Sequence, residues 1–544
     1  MKAFLISSAK KIAYVLAVCI ILAAILVSLA RLYNPSLNER RPEFEKWASE
    51  LLQNPVTIEK VAFAWQGYQP VVSLNKVTVL NKETREPILQ IRNVNVFISI
   101  PRSLWQRKFV PATIMVAGSE VNVVETATGE YAIQGFPALG GFNNQPFQRE
   151  ARFADVIAWL STQPRLILRD IDVRYTGFTG QKRFVTLYNL SLENKNAQHI
   201  VLGKAILHQE IPTEMSVVLK WFGNSTDLSK IRARIYLYIS GLSLSQWLSG
   251  YTWQNWQVQQ GIGSAKIWAT WNQGTLQKIQ TTFQLYDLIL YSLTDKSKHL
   301  IKRISGNVGW KRDGQDHIFA GNDILIDLPG HFWPVTSFYV AMTPDASGTL
   351  LPTIANLGYV DLYDIQAFLY SSPPLLSDET RKLLSDLQLK GSLLNAAITF
   401  SGSLADLQHI SLNANFSQLS FLPLQQTPGV HNLSGNIKWD GTQGDLSLSS
   451  HRVIIKYDTL FANPINVDQL TGNITWQPII DQKPQPTPDV QQSQKPDETA
   501  NAEADRSAGW MLRVQGLQIL NSDAAANVNG SISLPANNGT WLAD

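Results

Sequence analysis

The sequence has little charge and almost no cysteine. Charged residues make up 16% of its 544 residues, and Cys19 is the single cysteine. One cysteine excludes a disulfide scaffold, a paired-cysteine redox centre and a zinc site with several cysteine ligands. A net charge of +3 argues against a dedicated nucleic-acid binder, which usually carries a clustered basic face. We therefore expect no nucleic-acid partner.

Motifs for catalysis and metal binding are also lacking. The eight histidines are scattered, without HxH or HExxH spacing, and no G-x-S-x-G elbow occurs. The tryptophans of residues 253–271 suggest a glycan-processing enzyme, but such an enzyme would need a pair of carboxylates that we do not find. We therefore predict a protein without enzymatic activity, metal or cofactor.

One long hydrophobic run lies near the N-terminus. Residues 12–30 are 19 uncharged residues, and a helix of that length approaches the roughly 30 Å hydrocarbon core of a bilayer. A cleaved signal peptide is the alternative, although its apolar region usually has about 7–15 residues. Lys2, Lys10 and Lys11 precede the run without any acid, which favours a cytoplasmic N-terminus. We predict a single-pass membrane protein whose bulk lies across the membrane, which in a Gram-negative cell is the periplasm.

Most of the remaining chain has the pattern of β-strands. Apolar and polar residues alternate in residues 231–240, and similar alternation recurs in three further segments, which is typical of an antiparallel sheet covered on one side. Helices are predicted at 42–53, 153–161, 244–248, 361–370 and 378–389. The predicted fold is mainly β: an N-terminal transmembrane helix, then an elongated, curled antiparallel β-sheet, groove-shaped and repeat-like, with a few short helices.

Repeats and composition divide the chain further. The pattern G-N-(V/I)-x-W begins at Gly306, Gly435 and Gly472, which suggests strand pairs that stack in one direction. Residues 481–508 contain four prolines, five glutamines and no aromatic residue, so we predict a disordered insertion, with a functional linker as the alternative. The predicted regions are a cytoplasmic tail (1–11), the membrane helix (12–30), an N-terminal region (31–140), a β-groove region (141–480), the insertion (481–508) and a further β region (509–544).

The alternating apolar residues are candidates for the lining of a groove. A half-curled sheet has an apolar concave face, and lipid acyl chains suit it because each buried CH₂ contributes about 0.8 kcal/mol without directional contacts. An ordinary sandwich core has the same alternation, so both interpretations stay open. Arg232 and Tyr236 should face outward. The candidate lining residues are Val94, Val96, Ile98, Ile100, Ile231, Ala233, Ile235, Leu237, Ile239, Ile324, Ile326, Leu328, Leu412, Ala414 and Phe416.

Several passages, in order along most of residues 1–480, resemble the YhdP group of AsmA-like proteins. They are residues 64–74 (AWQGYQPVVSL), 87–104, the pair 166–175 and 187–199 with its final His199, residues 328–332 (LPGHF), and 361–370 with 389–391. The resemblance assigns 31–140 to an AsmA-like N-terminal region. The chain ends where a new strand should begin, and members of this group are longer, so we expect a C-terminal part to be missing.

The resemblance implies a function. It implies an inner-membrane-anchored, rod-like β-groove, similar to bridge-like lipid-transfer proteins, with membrane phospholipids as its partner. Such a protein would carry phospholipid toward the outer membrane and support the permeability barrier. The alternative is a non-enzymatic envelope scaffold or assembly factor for outer-membrane biogenesis.

Overall fold

The computed structural model describes a chain that divides into two compact units. Unit 1 comprises residues 1–250 and 262–281, and unit 2 comprises residues 251–261 and 282–544. The described residues are 14, 17, 21, 28, 38–535 and 542–543, except for gaps at 53, 67–68, 83, 108, 126–130, 138–149, 153–162, 179, 224–229, 249–250, 254, 371–377, 402–409, 425–427, 458–460 and 480–508.

Unit 1 is built almost entirely from strands. Its helices are α1 (Arg41–Leu52), α2 (Ile100–Gln106) and α3 (Leu244–Trp247). Its strands are β1 (Val56–Gln66), β2 (Gln69–Leu80), β3 (Pro87–Ile98), β4 (Pro111–Glu125), β5 (Tyr131–Pro137), β6 (Glu150–Arg152), β7 (Arg165–Thr176), β8 (Lys182–Lys195), β9 (Gln198–His208), β10 (Thr213–Phe222) and β11 (Arg232–Ser243). The residues of β12 (Trp256–Asn272) and β13 (Thr275–Ser292) are divided between the two units.

The strands of unit 1 pair mostly with their neighbours in sequence. β1 to β4 form an antiparallel meander, and β7 to β12 form a second one. Between them, β4 pairs with β7 in parallel, while β5 and β6 continue from β4 as a side branch. This topology places ten long strands side by side.

Helix α1 protects β1, the first strand of this sheet. The backbone N–H of Ile58 donates to Glu45 Oε1 at 2.8 Å, and that of Val56 donates to Ser49 Oγ at 2.8 Å. Asn38 Oδ1 accepts from the N–H of Val61 at 3.3 Å. An exposed strand edge can pair with other chains, so these side chains reduce the tendency of β1 to aggregate.

Unit 2 repeats the antiparallel plan. Its helices are α4 (Leu362–Tyr370) and α5 (Asp378–Leu387). Its strands are β14 (Lys298–Asp313), β15 (Asp316–Leu328), β16 (His331–Phe332), β17 (Thr336–Pro344), β18 (Leu350–Asp361), β19 (Lys390–Phe400), β20 (Ile410–Phe421), β21 (Gly429–Trp439), β22 (Gly444–Lys456), β23 (Ile465–Ile479), β24 (Gly509–Leu520), β25 (Ala525–Pro535) and β26 (Leu542–Ala543). Each strand pairs with the next, except that β15 pairs with both β16 and β17.

A left-handed residue interrupts the extended backbone inside many strands. In unit 1, Gly118 (φ 66°) of β4 and Asp170 (φ 53°) of β7 both fall between the pairs Ala117–Arg169 and Ser119–Ile171. In unit 2 such residues occur in successive strands, namely Asn395, Gln418, Asn432, Arg452, Gly472 and Gly516. Bulges and kinks of this kind bend a strand and raise its twist. Their recurrence in successive strands of unit 2 bends that sheet repeatedly.

The fold confirms the mainly β prediction and most of the predicted helices. The predicted helices at 42–53, 244–248, 361–370 and 378–389 correspond to α1, α3, α4 and α5. The helix predicted at 153–161 and the insertion at 481–508 lie outside the described residues. So does the membrane span at 12–30, apart from Tyr14, Ala17, Ile21 and Ser28, which are helical and exposed. Among the helices that the structure describes, none combines the length and apolar character needed to cross a bilayer.

Candidate functional site

An apolar face crosses the whole sheet of unit 1. Directly opposed residues on neighbouring strands share a face of the sheet, and we call such a set a row. The first row comprises Phe63, Val72, Val96, Ile114, Leu166, Leu192, Val201, Leu219, Ile235 and Ala269. The second comprises Val61, Leu74, Val94, Val116, Leu168, Leu190, Gly203, Val217, Leu237 and Ile267. No polar side chain interrupts either row.

The two rows contain candidate lining residues from segments that are far apart in the sequence. Val96 and Ile235 lie in the first row, and Val94 and Leu237 lie in the second. Three other candidates lie on the same face: Ala233 is opposite Trp221 and Trp271, Ile239 is opposite Met215 and Ala265, and Ile98 is opposite Pro111. Ile231 precedes β11, is 6% exposed and packs with Leu166, Leu192 and Trp221.

One candidate of this set does not lie in a strand. The alternation predicts that Ile100 continues β3, but it is the first residue of α2 and is 40% exposed. Strand β3 ends at Ile98, Ser99 takes the N-cap position, and Pro101 occupies the first helical turn. Proline favours the first turn of a helix because its fixed φ suits that position and the N–H it lacks has no partner there. Ile100 therefore leaves the strand face.

Unit 2 has an apolar row of similar length. It comprises Phe319, Val340, Ala355, Ile398, Leu412, Trp439, Gly444, Trp476, Leu512 and Ile532. The candidate Leu412 lies in this row, while Ala414 and Phe416 lie on the same face, opposite Ile437 and Gly435.

The other three candidates of unit 2 lie elsewhere on β15. They follow the left-handed Asp323, where the register of β15 shifts. Ile324 is opposite Thr336, Ile326 is opposite Ile304, and Leu328 is opposite His331. They therefore lie outside the row that contains Leu412.

Within each unit, the apolar face is covered to different degrees. Helix α1 packs Phe44 and Ala48 near Val61, Leu74 and Val94, and Val61 is only 1% exposed. On β9 to β12 the row residues other than Gly203 are half-buried. In unit 2, Val453 and Val467 are 0% and 1% exposed, and among the described residues the apolar side chains that cluster with them lie on β19 to β24. Residues of one sheet face bury each other in this way when the sheet curves inward.

The opposite face of the unit 1 sheet carries polar side chains among apolar ones. Tyr236 is opposite Val218 and Trp268, and Arg232 is exposed, so both point away from Ile235 as expected. Asn93 Nδ2 donates to Asn75 Oδ1 at 2.7 Å across β2 and β3.

A polar cluster that the sequence pattern does not predict lies at the end of β18. His331 Nδ1 lies 2.9 Å and Trp333 Nε1 2.7 Å from Asp364 Oδ2, while His331 Nε2 lies 3.7 Å from Asp361 Oδ2. The backbone N–H groups of Tyr363 and Asp364 donate to Asp361 Oδ1, which caps α4. Burial and the nearby carboxylate of Asp361 raise the pKa of Tyr359.

This cluster has the spacing of a metal site, but its hydrogen bonds join two segments of the fold. Its His, Asp and Asp ligand atoms lie within 4.8 Å of one another, yet each already has a partner in the fold. The cluster joins the turn after β15 to the start of α4. Only the spacing of Asp361 and Asp364 at a helix start, with a histidine in the LPGHF segment, could have indicated it from sequence.

Comparisons with known proteins concern the chain as a whole. A family model described as "YhdP protein" matches residues 1–485. A curated relative, the "Intermembrane phospholipid transporter YhdP" of Escherichia coli (strain K12), is 20% identical over 492 residues. The alignment covers 85% of this chain and 35% of the relative, so the chain spans about a third of that protein's length. No solved structure matches the chain significantly.

Proposed function

The chain belongs to the YhdP family, and from that premise we propose that it carries phospholipid along the apolar faces of its sheets. The related E. coli protein is named as an intermembrane phospholipid transporter. In the proposal, residues 12–30 anchor the chain in the inner membrane, and the sheets lead lipid through the periplasm toward the outer membrane. The protein thereby supports the permeability barrier of the cell.

The observation that carries the proposal is the unbroken apolar row. Ten strands of unit 1 each contribute an apolar residue or glycine to each of two neighbouring rows, including Val94, Val96, Ile235 and Leu237. An acyl chain on such a face keeps its CH₂ groups out of water at every step, at about 0.8 kcal/mol each. Since this attraction has no preferred direction, lipid can slide without a specific pocket.

The mechanism is passive. The acyl chains follow the apolar face, and the headgroup stays in water, because a phosphate would lose its hydration among aliphatic side chains. The face has no charged side chain in either row that could retain the headgroup. The direction of transfer is then set by other components or by a lipid gradient.

Photocrosslinking tests this proposal. A photoreactive amino acid is placed at Leu237 in one variant and at Tyr238, its neighbour on the opposite face, in the other. After irradiation in cells, mass spectrometry should find phospholipid adducts at 237 and few at 238. Equal labelling at both positions, or adducts with proteins alone, would favour an envelope scaffold instead.

A further inference from the structure

The turn after β3 exposes several large apolar side chains. Ile100, Leu104, Trp105 and Phe109 are 40%, 75%, 89% and 86% exposed. We call these four residues the α2 patch. Several large apolar side chains exposed within one short segment of a folded protein suggest an interaction site.

The patch belongs to an ordered turn. The N–H of Ser99 donates to the carbonyl of Val110 at 2.9 Å, and the N–H of Val110 donates to Ser103 Oγ at 3.0 Å. These two bonds close the segment across its base. The exposed indole of Trp105 is therefore held outward by a defined backbone.

The charge around the patch identifies its partner. Residues 99–110 contain Arg102, Arg107 and Lys108 and no acidic residue, and Arg102 and Arg107 are exposed. Exposed Trp, Phe and Leu beside several cations favour the interface of an anionic bilayer, where rings enter the headgroup region and cations meet lipid phosphates.

The path of the chain places the patch near the predicted membrane span. Helix α1 runs antiparallel to β1, because Asn38 accepts a hydrogen bond from Val61 and Ser49 accepts one from Val56. The chain therefore enters α1 from the end of β1 nearer Gln66. The start of α2 lies at the same end of the sheet. Phe97, near the end of β3, is opposite Val71, which is near the start of β2 and therefore near Gln66. Residue 30 precedes Asn38 by eight residues, which reach at most about 28 Å. A membrane around residues 12–30 is thus within reach of the patch.

We propose that the α2 patch docks on the surface of an anionic phospholipid bilayer, with Leu104, Trp105 and Phe109 in the headgroup region. Docking would fix the orientation of the β3 end of the apolar face relative to the membrane. Val96 of the first row precedes α2 by four residues, so lipid leaving the bilayer at this point would meet that row beside the part that α1 covers.

A depth measurement on the full chain tests the docking. Cys19→Ser removes the native thiol, Gln106→Cys on exposed α2 carries an NBD fluorophore, and the protein is reconstituted into nanodiscs with or without phosphatidylglycerol. We expect a blue shift and quenching by a nitroxide near the lipid headgroup in the anionic nanodiscs. Trp105→Glu should abolish both signals, and since that side chain is 89% exposed, the change removes no core contact.

A matched control and the contrary outcomes complete the test. Phe178→Glu alters another exposed aromatic residue of unit 1 (61% exposed) and should leave both signals unchanged. Water-like emission in both lipid mixtures, no association with anionic nanodiscs, or equal effects of the two variants would overturn the proposal. A blue shift that depends on protein concentration and not on anionic lipid would assign the patch to a second copy. The readout needs no lipid transfer, so failure of docking and failure of transport are separate results.

Discussion

Gly444 lies directly beneath the indole of Trp476. A Cβ built on Gly444 would come within 2.0 Å of Trp476 Cζ2. Gly444 is opposite both Trp439 and Trp476 in the row of unit 2, and the two indoles stack across it with centroids 5.9 Å apart and planes 18° apart. The glycine on β22 thus leaves the space in which tryptophans from two G-N-(V/I)-x-W repeats meet.

We predict that Gly444→Val destabilises unit 2 by about 1–3 kcal/mol, the usual cost of overpacking. The near-ultraviolet circular dichroism of the stacked indoles should weaken, and the melting temperature should fall. In the background of Trp476→Ala the same substitution should cost much less, because the clash is with that ring. An undiminished cost in the double variant would place the strain in the backbone.

A charge on the apolar face should block transport. We expect Ile235→Asp to lower phospholipid transfer at least roughly tenfold, because an acyl chain would have to pass a carboxylate that resists desolvation. Tyr236→Asp changes the opposite face of the same strand and should be tolerated. Expression levels and an outer-membrane permeability assay measure both effects. Equal loss at both positions would indicate an ordinary core strand.

His199 should make the stability of unit 1 depend on pH. Burial lowers the pKa of His199 from 6.5, while a backbone contact with Gly223 opposes the shift. The ring stacks on Trp221 at 4.7 Å, and its Nδ1 lies 2.7 Å from Asn194 Oδ1.

The sign follows from the lowered pKa. Between the pKa of His199 in the folded chain and 6.5, the unfolded chain binds more protons than the folded chain. The contribution of His199 to folding stability is therefore present above pH 6.5 and is lost as the pH falls through that range. We predict that the melting temperature of the wild type falls more between pH about 8 and about 5.5 than that of His199→Gln. Parallel pH profiles would contradict this assignment.

Removing Glu45 should open the edge of β1. Its carboxylate accepts the backbone N–H of Ile58, and Ile58 is 1% exposed, so Glu45→Ala leaves a buried donor unsatisfied at a cost of about 1–3 kcal/mol. Hydrogen exchange at the amide of Ile58 should accelerate. Glu50→Ala, on the exposed side of α1, is the control and should leave that amide protected.

The left-handed residues inside strands should accept glycine but not β-branched residues. Asn395 has φ 50° and precedes Ala396, which is 2% exposed. We expect Asn395→Val to cost about 1–2 kcal/mol more than Asn395→Gly, since the left-handed conformation crowds a Cβ. Chemical denaturation of the two variants measures the difference, and equal stabilities would show that the bend is not needed at this strand.

The sequence alone determined the fold class and the two faces of the strands. Strict alternation placed Leu237 and Leu412 on the apolar face of their strands, because a side chain in a strand changes face at each residue whatever the partner strand is. The same rule failed at Ile100, where Pro101 starts a helix. Alternation also gives no sign of Asp170 or Asn395, because a left-handed bend depends on local backbone geometry and not on the apolar pattern.

Only the tertiary structure decided which residues meet. Val96 and Ile235 are 139 positions apart by number, and they share a row only because seven strands, β3, β4 and β7 to β11, pair in one register. Register is set by long-range hydrogen bonds and packing, which a one-dimensional pattern does not contain. The apolar content was therefore fixed by the amino-acid order, whereas its assembly into continuous rows on bent sheets was fixed by strand pairing.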